Sequence, residues 1–518
     1  MHPNRRTFLK NVGRGMLAAS VGPALAADLF PGKLFADEVA DRLTFGKLDP
    51  LVGLIQDAGP DKLLPLLVER LHDGADLKML IAAAALANAR TLGGEQYEGY
   101  HTMMALAPAY QMSQELPAER QALPVFKVLV RNATWIQNHG RQPDTLRPIK
   151  PADLPAGKSG TDALREAVEQ KDKDAADRMF VALCRDGKQE DAFNQLLPSV
   201  QEELEVHRVV LPHRAWTLAG IIGMDYAQVL LRQSVHYCVQ NLRGDFTSRT
   251  RPAAHTVLPK LLDQYKLIGK PAGAKAAEDG WVDQMSQTIF SSSPEVAADA
   301  VAAALAEGFA PDQIGEALSL AANQLVLRDN GRPKAVNDAK PAGSVHGDGI
   351  GVHASDSANA WRDMARYSDA RNGVACLILG AYQCAFDRTE RGGDFLKWEP
   401  YPRVEAREKI KTGDADALLA AAEDAIRHND QAGACAAVAR YGEEGHKPRP
   451  VIDLLLRYAI SEDGALHAEK YYRTATEEFA SLRPAFRWRQ MVALARVTAS
   501  EYGRPAPGYD EACHLLKV

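Results

Sequence analysis

Apolar residues recur three and four positions apart through almost the whole chain, and no run alternates apolar and polar in the manner of a strand. That periodicity predicts an all-α protein. Pro60 opens a helix that stops at Gly74, with proline at the first turn and glycine just past the end. Asp76 starts the next, LKMLIAAAALANARTL, whose alanines permit close helix–helix approach. Further helices are expected over about 95–114, 118–138, 161–185, 189–206, 213–242, 257–266, 278–290, 295–307 and 311–328. After a polar, glycine-containing connection over Leu327–Gly351 they resume over about 353–367, 372–387, 404–411, 414–428, 431–440, 450–460, 465–480 and 484–502. A connection of that length inside a compact protein is more often functional than not.

Four stretches share a helix–turn–helix texture: VERLHDGADLKMLIAAAAL, VALCRDGKQEDAFNQLL, AALAEGFAPDQIGEALSLAA and EDAIRHNDQAGACAAVARY. Their turns fall at Gly74, Gly187, Gly308 and Asn429, spaced 113, 121 and 121 residues apart, the mark of a weak fourfold repeat of helical hairpins. After each turn a histidine opens a helix: His101, His213, His353 and His467. Four units that each deliver one imidazole can converge on one centre, giving a large all-helical domain that is solenoid-like or toroidal.

Composition is that of a globular protein, 46% hydrophobic and 25% charged, with a formal net charge of −6. Residues 1–26 hold four basic and no acidic side chains, so the remainder carries 57 basic against 67 acidic groups. An acidic chain without a concentrated basic stripe argues against nucleic-acid binding. Asn4-Arg5-Arg6-Thr7-Phe8-Leu9-Lys10 resembles a twin-arginine export motif. A mildly apolar run and Ala24-Leu25-Ala26 follow it, so 1–26 is expected to be a signal peptide and 27–518 an exported, periplasmic catalytic domain. No later segment has the length of apolar residues a membrane span needs. The six cysteines are scattered without a C-x-x-C and read as small buried residues.

Neutral imidazoles in a dry pocket suit iron, copper or zinc, but four of them leave the ion's charge uncompensated. Two candidates for compensation lie one helical turn from a histidine. Asp356 is three residues after His353, and Lys470 is three after His467, where burial would favour the neutral amine that reacts with CO₂. His-Ala-Glu-Lys at 467–470, HASDSANAWR at 353–362 and the helix-opening His101 together resemble the questin oxidase-like family of non-haem iron oxygenases. The resemblance implies an all-helical protein that holds one iron by four histidines and a carboxylated lysine, and uses O₂ to open or hydroxylate polycyclic aromatic substrates. Carried onto this chain, it makes His101, His213, His353 and His467 the nitrogen ligands and Lys470 the carbamate. The family's close histidine pair is absent at the second position, where His207 and His213 are six apart, so the choice between those two stays open.

His346, in HGDGIGVH, and His236 are further alternates to the proposed ligands. Glu98-x-x-His101 and Glu443-x-x-His446 have the spacing used in di-iron carboxylate bundles, but the second lies in a loop-like stretch. GDGIG at 347–351 follows no strand and fails as a dinucleotide fingerprint. The sequence therefore predicts an exported mononuclear metal oxygenase, iron first and copper or zinc second, with Asp356 and Lys470 as its catalytic groups. O₂ and a phenolic or quinone-like small molecule are the expected partners. The competing expectation is a non-catalytic periplasmic helical-repeat scaffold.

Overall fold

The computed structural model describes residues 42–139, 145–186, 188–242, 249–390 and 394–518. The expected signal peptide over 1–26 and the hairpin turn at Gly187 lie outside the described residues. The chain is 71% helical, with 23 helices and no strand among the described residues, an all-α fold of helical repeats.

Three repeat units begin with a packed helical hairpin: Lys173–Asp186 with Gln189–Gln201, Pro294–Ala306 with Pro311–Arg328, and Ala415–Arg427 with Gln431–Glu443; in the first unit Pro60–His72 and Leu77–Leu92 follow one another but pack instead on Ala122–His139. Gly74, Gly308 and Asn429 close three of these pairs with φ of 97°, 86° and 53°, the left-handed conformation that glycine and asparagine tolerate after a helix. Starts are fixed locally as well. Asp76, Ser293, Asp414 and Asp430 each accept a backbone N–H of the first turn that has no partner within the helix.

A further helix follows in each unit, and these four define the centre of the molecule: α1 (Tyr97–Ser113), α2 (Val206–Ile222), α3 (Ile350–Tyr367) and α4 (His467–Ser481). In the fourth unit an extra helix, Arg449–Ser461, intervenes before α4. The four pack in a closed order, α1 on α2, α2 on α3, α3 on α4 and α4 on α1. Their outer faces rest on neighbours from their own units, over Ala122–His139, Ala227–Gln240, Ala370–Glu390 and Trp488–Glu501. Buried apolar residues from all four units join one continuous core.

Buried polar ties set the register of this assembly. Asn88, fully buried in Leu77–Leu92, donates to the Gly99 carbonyl and the Thr102 hydroxyl of α1. Asn359 of α3 donates to Glu478 of α4, and Arg362 pairs with the same carboxylate. At Gly351 a Cβ would lie 2.4 Å from the backbone nitrogen of Val326. The glycine-rich run before α3 therefore serves close packing of two helices rather than a nucleotide.

Residues 329–349 form the long irregular connection expected from the sequence, broken by one isolated bridge between Asn337 and Lys340. All six cysteines are free thiols. No helix among the described residues is long and apolar enough to cross a membrane.

Two expected boundaries are corrected. The helix anticipated over 213–242 is two helices, Val206–Ile222 and Ala227–Gln240, broken at Gly223, whose φ is 134°. His213 therefore does not open a helix. Glu205 caps α2 through its side chain, and Pro212 sits inside the helix. Proline marks a helix start only in the first turn, and here the capping carboxylate, seven residues earlier, sets the start.

Candidate metal centre

His101, His207, His353 and His467 all stand in the first or second turn of α1, α2, α3 and α4. Because the four helices present the same end, the imidazoles meet. Ring centroids are 4.6 Å apart for His101–His207, 5.4 Å for His207–His353, 5.3 Å for His353–His467 and 5.2 Å for His467–His101. All four residues are buried. The Nε2 atoms of His101 and His207 are 3.1 Å apart, and those of His353 and His467 are 3.2 Å apart.

The other ring nitrogens decide what those contacts mean. His101 Nδ1 is 2.7 Å from the Tyr97 carbonyl, His207 Nδ1 is 2.6 Å from Glu205 Oε1, and His467 Nδ1 is 3.1 Å from the Ala465 carbonyl. Carbonyl and carboxylate oxygens only accept, so each Nδ1 must carry the proton and each Nε2 a lone pair. Two lone pairs facing at 3.1 Å repel unless a cation lies between them, either a proton or a metal ion. Adjacent nitrogens around one ion, at metal–nitrogen bonds of about 2.0–2.1 Å, stand roughly 3.0–3.4 Å apart. Each pair has that spacing, and acceptors behind three of the rings, those of His101, His207 and His467, are the usual outer shell of metal-bound histidine. The residues fit a metal ion in this respect.

Enclosing one ion by all four imidazoles also requires the two pairs to draw together. Among the described residues the group of three carboxylate or imidazole donors whose atoms all lie within 4.8 Å is elsewhere, at Glu169, Glu202 and His255. There Arg165 and Arg251 already engage Glu202 and Glu169, so ion pairing accounts for that cluster.

Local structure holds the ring rigidly. Glu205 accepts the His207 and Arg208 backbone N–H groups, the His207 ring and the Tyr237 hydroxyl. Burial works against its charge, but His207 and these donors carry its carboxyl down to about 2. Ala465 and Leu466 are consecutive left-handed residues, with φ of 48° and 68°, and they turn the Ala465 carbonyl toward His467. Such non-glycine strain concentrates at functional turns. Tyr97 lies over the His101 ring at 4.2 Å and is 49% exposed, so it forms the solvent side of the cluster. Burial, followed by the charge of Lys470, pushes the His101 and His467 imidazoles well below their ordinary range.

Lys470 lies one turn beneath His467 and is 2% exposed. Among the described residues no hydrogen bond or ion pair reaches its Nζ, and burial brings its ammonium down to about 8, opposed by Asp356. Asp356, one turn beneath His353, accepts the Thr474 hydroxyl at Oδ1. Its Oδ2 has no hydrogen-bond partner, and burial raises its carboxyl.

The structure thus brings His101, His353, His467, Lys470 and Asp356 together and adds His207. It places His213 elsewhere. Six residues along a helix is about 9 Å down and roughly one and two-thirds turns round, so His207 and His213 lie on different faces and cannot share one centre. His213 Nδ1 is instead 2.6 Å from the Tyr367 hydroxyl, and burial takes its imidazole down to about 3. His236 is also outside the ring, its Nδ1 3.0 Å from Glu95 and its Nε2 3.2 Å from Asp177. His346 anchors the long connection to Ser500, the Ala339 carbonyl and Arg504. His446, of the di-iron alternative, faces the Gly413 carbonyl far along the fourth unit.

Sequence reasoning missed Glu205, Arg214 and Thr474. The signal for Glu205 was its position as a capping residue two before a histidine. Arg214 and Thr474 each lie seven residues, two turns, after a ring histidine and so on the same helix face. Compared with protein-family models, curated proteins and solved structures, the chain returns no match.

Proposed function

We propose that His101, His207, His353 and His467, assisted by Lys470, hold one transition-metal ion, iron first, and that the chain is an exported mononuclear oxygenase acting on a phenolic or quinone-like substrate. The observation that carries this reading is the facing of the His101 and His207 Nε2 lone pairs, whose partner nitrogens are both committed to acceptors. Such a centre has no role in a scaffold that binds through a broad groove. The ion, when bound, supplies electron transfer to O₂.

The protein's own groups have separable tasks. Glu205 and the Tyr97 and Ala465 carbonyls fix ring orientation and tautomer, so little reorganisation accompanies binding. Lys470 offers an amine that is partly neutral near pH 8. With CO₂ that amine forms a carbamate and releases one proton, adding an anion beside four neutral imidazoles. Asp356, with its carboxyl raised by burial, can keep a proton at Oδ2 and return it to a group beneath the ring. The helix N-termini around the ring carry partial positive charge, which favours an anionic oxygen there over a second cation. Tyr97 and Tyr100, tilted against the His101 ring, give a flat aromatic substrate a wall to lie against. The twin-arginine motif gives the proposal its periplasmic location.

The test is O₂ uptake by the iron-loaded mature chain against a panel of phenols and quinones. Substrate-dependent uptake that is lost in His467→Ala supports the reading. Uptake that is equal in the two proteins would sink it.

A further inference from the structure

Three of the ring imidazoles have an acceptor behind them, but those acceptors are held in different ways. The Tyr97 carbonyl belongs to the same helix as His101, four residues back, and Glu205 caps the helix that carries His207. His467 depends instead on a loop. Its Nδ1 faces the Ala465 carbonyl at 3.1 Å, and that carbonyl is aimed by two consecutive left-handed residues, Ala465 and Leu466, with φ of 48° and 68°. Neither residue is glycine, so the conformation is unfavourable on its own and persists only where the surroundings impose it.

What imposes it reaches across from the first unit. Lys127, on the helix Ala122–His139, is 4% exposed, and its ammonium donates to the Ala459 carbonyl at 2.8 Å and the Glu462 carbonyl at 2.6 Å. The same Nζ lies 2.7 Å from Glu469 Oε1, in the first turn of α4. One cation therefore joins the end of Arg449–Ser461, the turn after it and the start of α4, on both sides of the strained residues. The position suits a positive charge. Carbonyls of a last helical turn lack intrahelical partners and carry the negative end of the helix dipole. The Asp463 N–H, four residues after Ala459, bonds the Arg504 carbonyl instead, at 2.6 Å. Arg131, one turn along from Lys127, pairs with the Asp463 carboxylate, whose other oxygen accepts the Ala465 N–H at 3.1 Å.

We infer that Lys127, seconded by Arg131, is a positioning residue for His467: it clamps the turn from across the seam between the first and fourth units, and so fixes the tautomer and aim of the fourth imidazole. The inference rests on the metal reading for its purpose, but the clamp acts on the imidazole whether or not an ion is bound. Removing Lys127 alone leaves the fully buried Glu469 without its cation, so a variant that neutralises both stands beside the single one.

The experiment is heteronuclear NMR of the metal-free full mature chain with isotope-labelled histidine, alongside competition for Zn(II) against a chelator. It compares wild type, Lys127→Met, Lys127→Met combined with Glu469→Gln, and Arg131→Met, with signals assigned by His467→Gln and His207→Gln. In wild type His467 should carry its proton on Nδ1, and both Lys127 variants should lose that single tautomer. His207, held by Glu205, should keep its own. Zn(II) affinity should fall about tenfold in the Lys127 variants and by less in Arg131→Met. An unchanged His467 signal in a folded Lys127 variant would overturn the clamp. So would His467 and His207 changing together, which marks general loosening. If neither Lys127 variant folds by circular dichroism, Arg131→Met decides, and an unchanged His467 signal there counts against the proposal. Zn(II) bound equally well by wild type and both Lys127 variants would keep the metal centre and overturn the positioning role. A wild type that binds no metal, yet whose His467 tautomer depends on Lys127, would end the metal reading and leave the clamp standing.

Discussion

Replacing Glu205 by glutamine isolates the charge that orients His207. Glutamine keeps one acceptor oxygen: at the Oε2 position it still takes the two capping N–H groups, so α2 should keep its start, while the amide NH2 replaces the Oε1 acceptor at the His207 ring. What is lost is a carboxylate held down at about 2 against an ordinary 4.5, a preference for the charged form of roughly 3 kcal/mol at 1.36 kcal/mol per pH unit. That figure is a ceiling, since the retained oxygen keeps its bonds to the capping N–H groups and the Tyr237 hydroxyl. Substitution of such an outer partner costs about 10–100-fold in metal affinity, or about 1.4–2.7 kcal/mol, which lies below the ceiling. The assay is competition for Fe(II) or Zn(II) against a chelator of known affinity, with thermal melting of the metal-free protein alongside. Affinity down by one to two decades with a melting temperature nearly unchanged is expected. Unchanged affinity in a folded variant would refute the claim that Glu205 tunes His207 for metal.

Two further predictions concern pH. Glu501 is buried near Lys127 and Glu469, and burial raises its carboxyl to about 8. The folded state therefore holds a proton that the unfolded chain releases near 4.5, so stability falls as pH rises from about 4.5 to 8. Glu501→Gln should flatten that slope in denaturant melts and gain up to about 5 kcal/mol above pH 8 as an upper bound; parallel curves would exclude it. His236 lies between Glu95 and Asp177, and although burial opposes it, those carboxylates raise its imidazole above 6.5. Its contribution is fully present below pH 6.5 and is lost as pH rises through its folded value. The stability gap between wild type and His236→Gln should therefore shrink from pH 6 to pH 9, and a gap that widens would contradict the assignment.

The helices were largely legible because most of them bury one face and leave the other in water. Pro311–Arg328 has the boundaries its pattern predicts, while Asp49–Asp57 and Tyr509–Leu516 are too short to announce themselves. The recurrence of turns at Gly74, Gly308 and Asn429 was legible for the same reason. The second ring histidine was legible only as the alternative to His213, because Pro212 imitates a helix start and the capping role of Glu205 depends on an acceptor geometry that sequence does not display. Nor could sequence place Arg214 beside Thr474, which are 260 residues apart and meet only when α2 and α4 pack around one axis. The twin-arginine segment was read from residues outside the described structure, and its test is export of the full chain in cells.

The central claim is that four helix openings hold one ion, and that the second of them uses His207. Metal content by mass spectrometry on wild type, His207→Ala and His213→Ala tests it most directly. The account predicts about one iron per chain in wild type and in His213→Ala, and loss of it in His207→Ala. A folded wild type that retains no metal under conditions that preserve bound ions would contradict it. So would iron lost from His213→Ala and kept by His207→Ala.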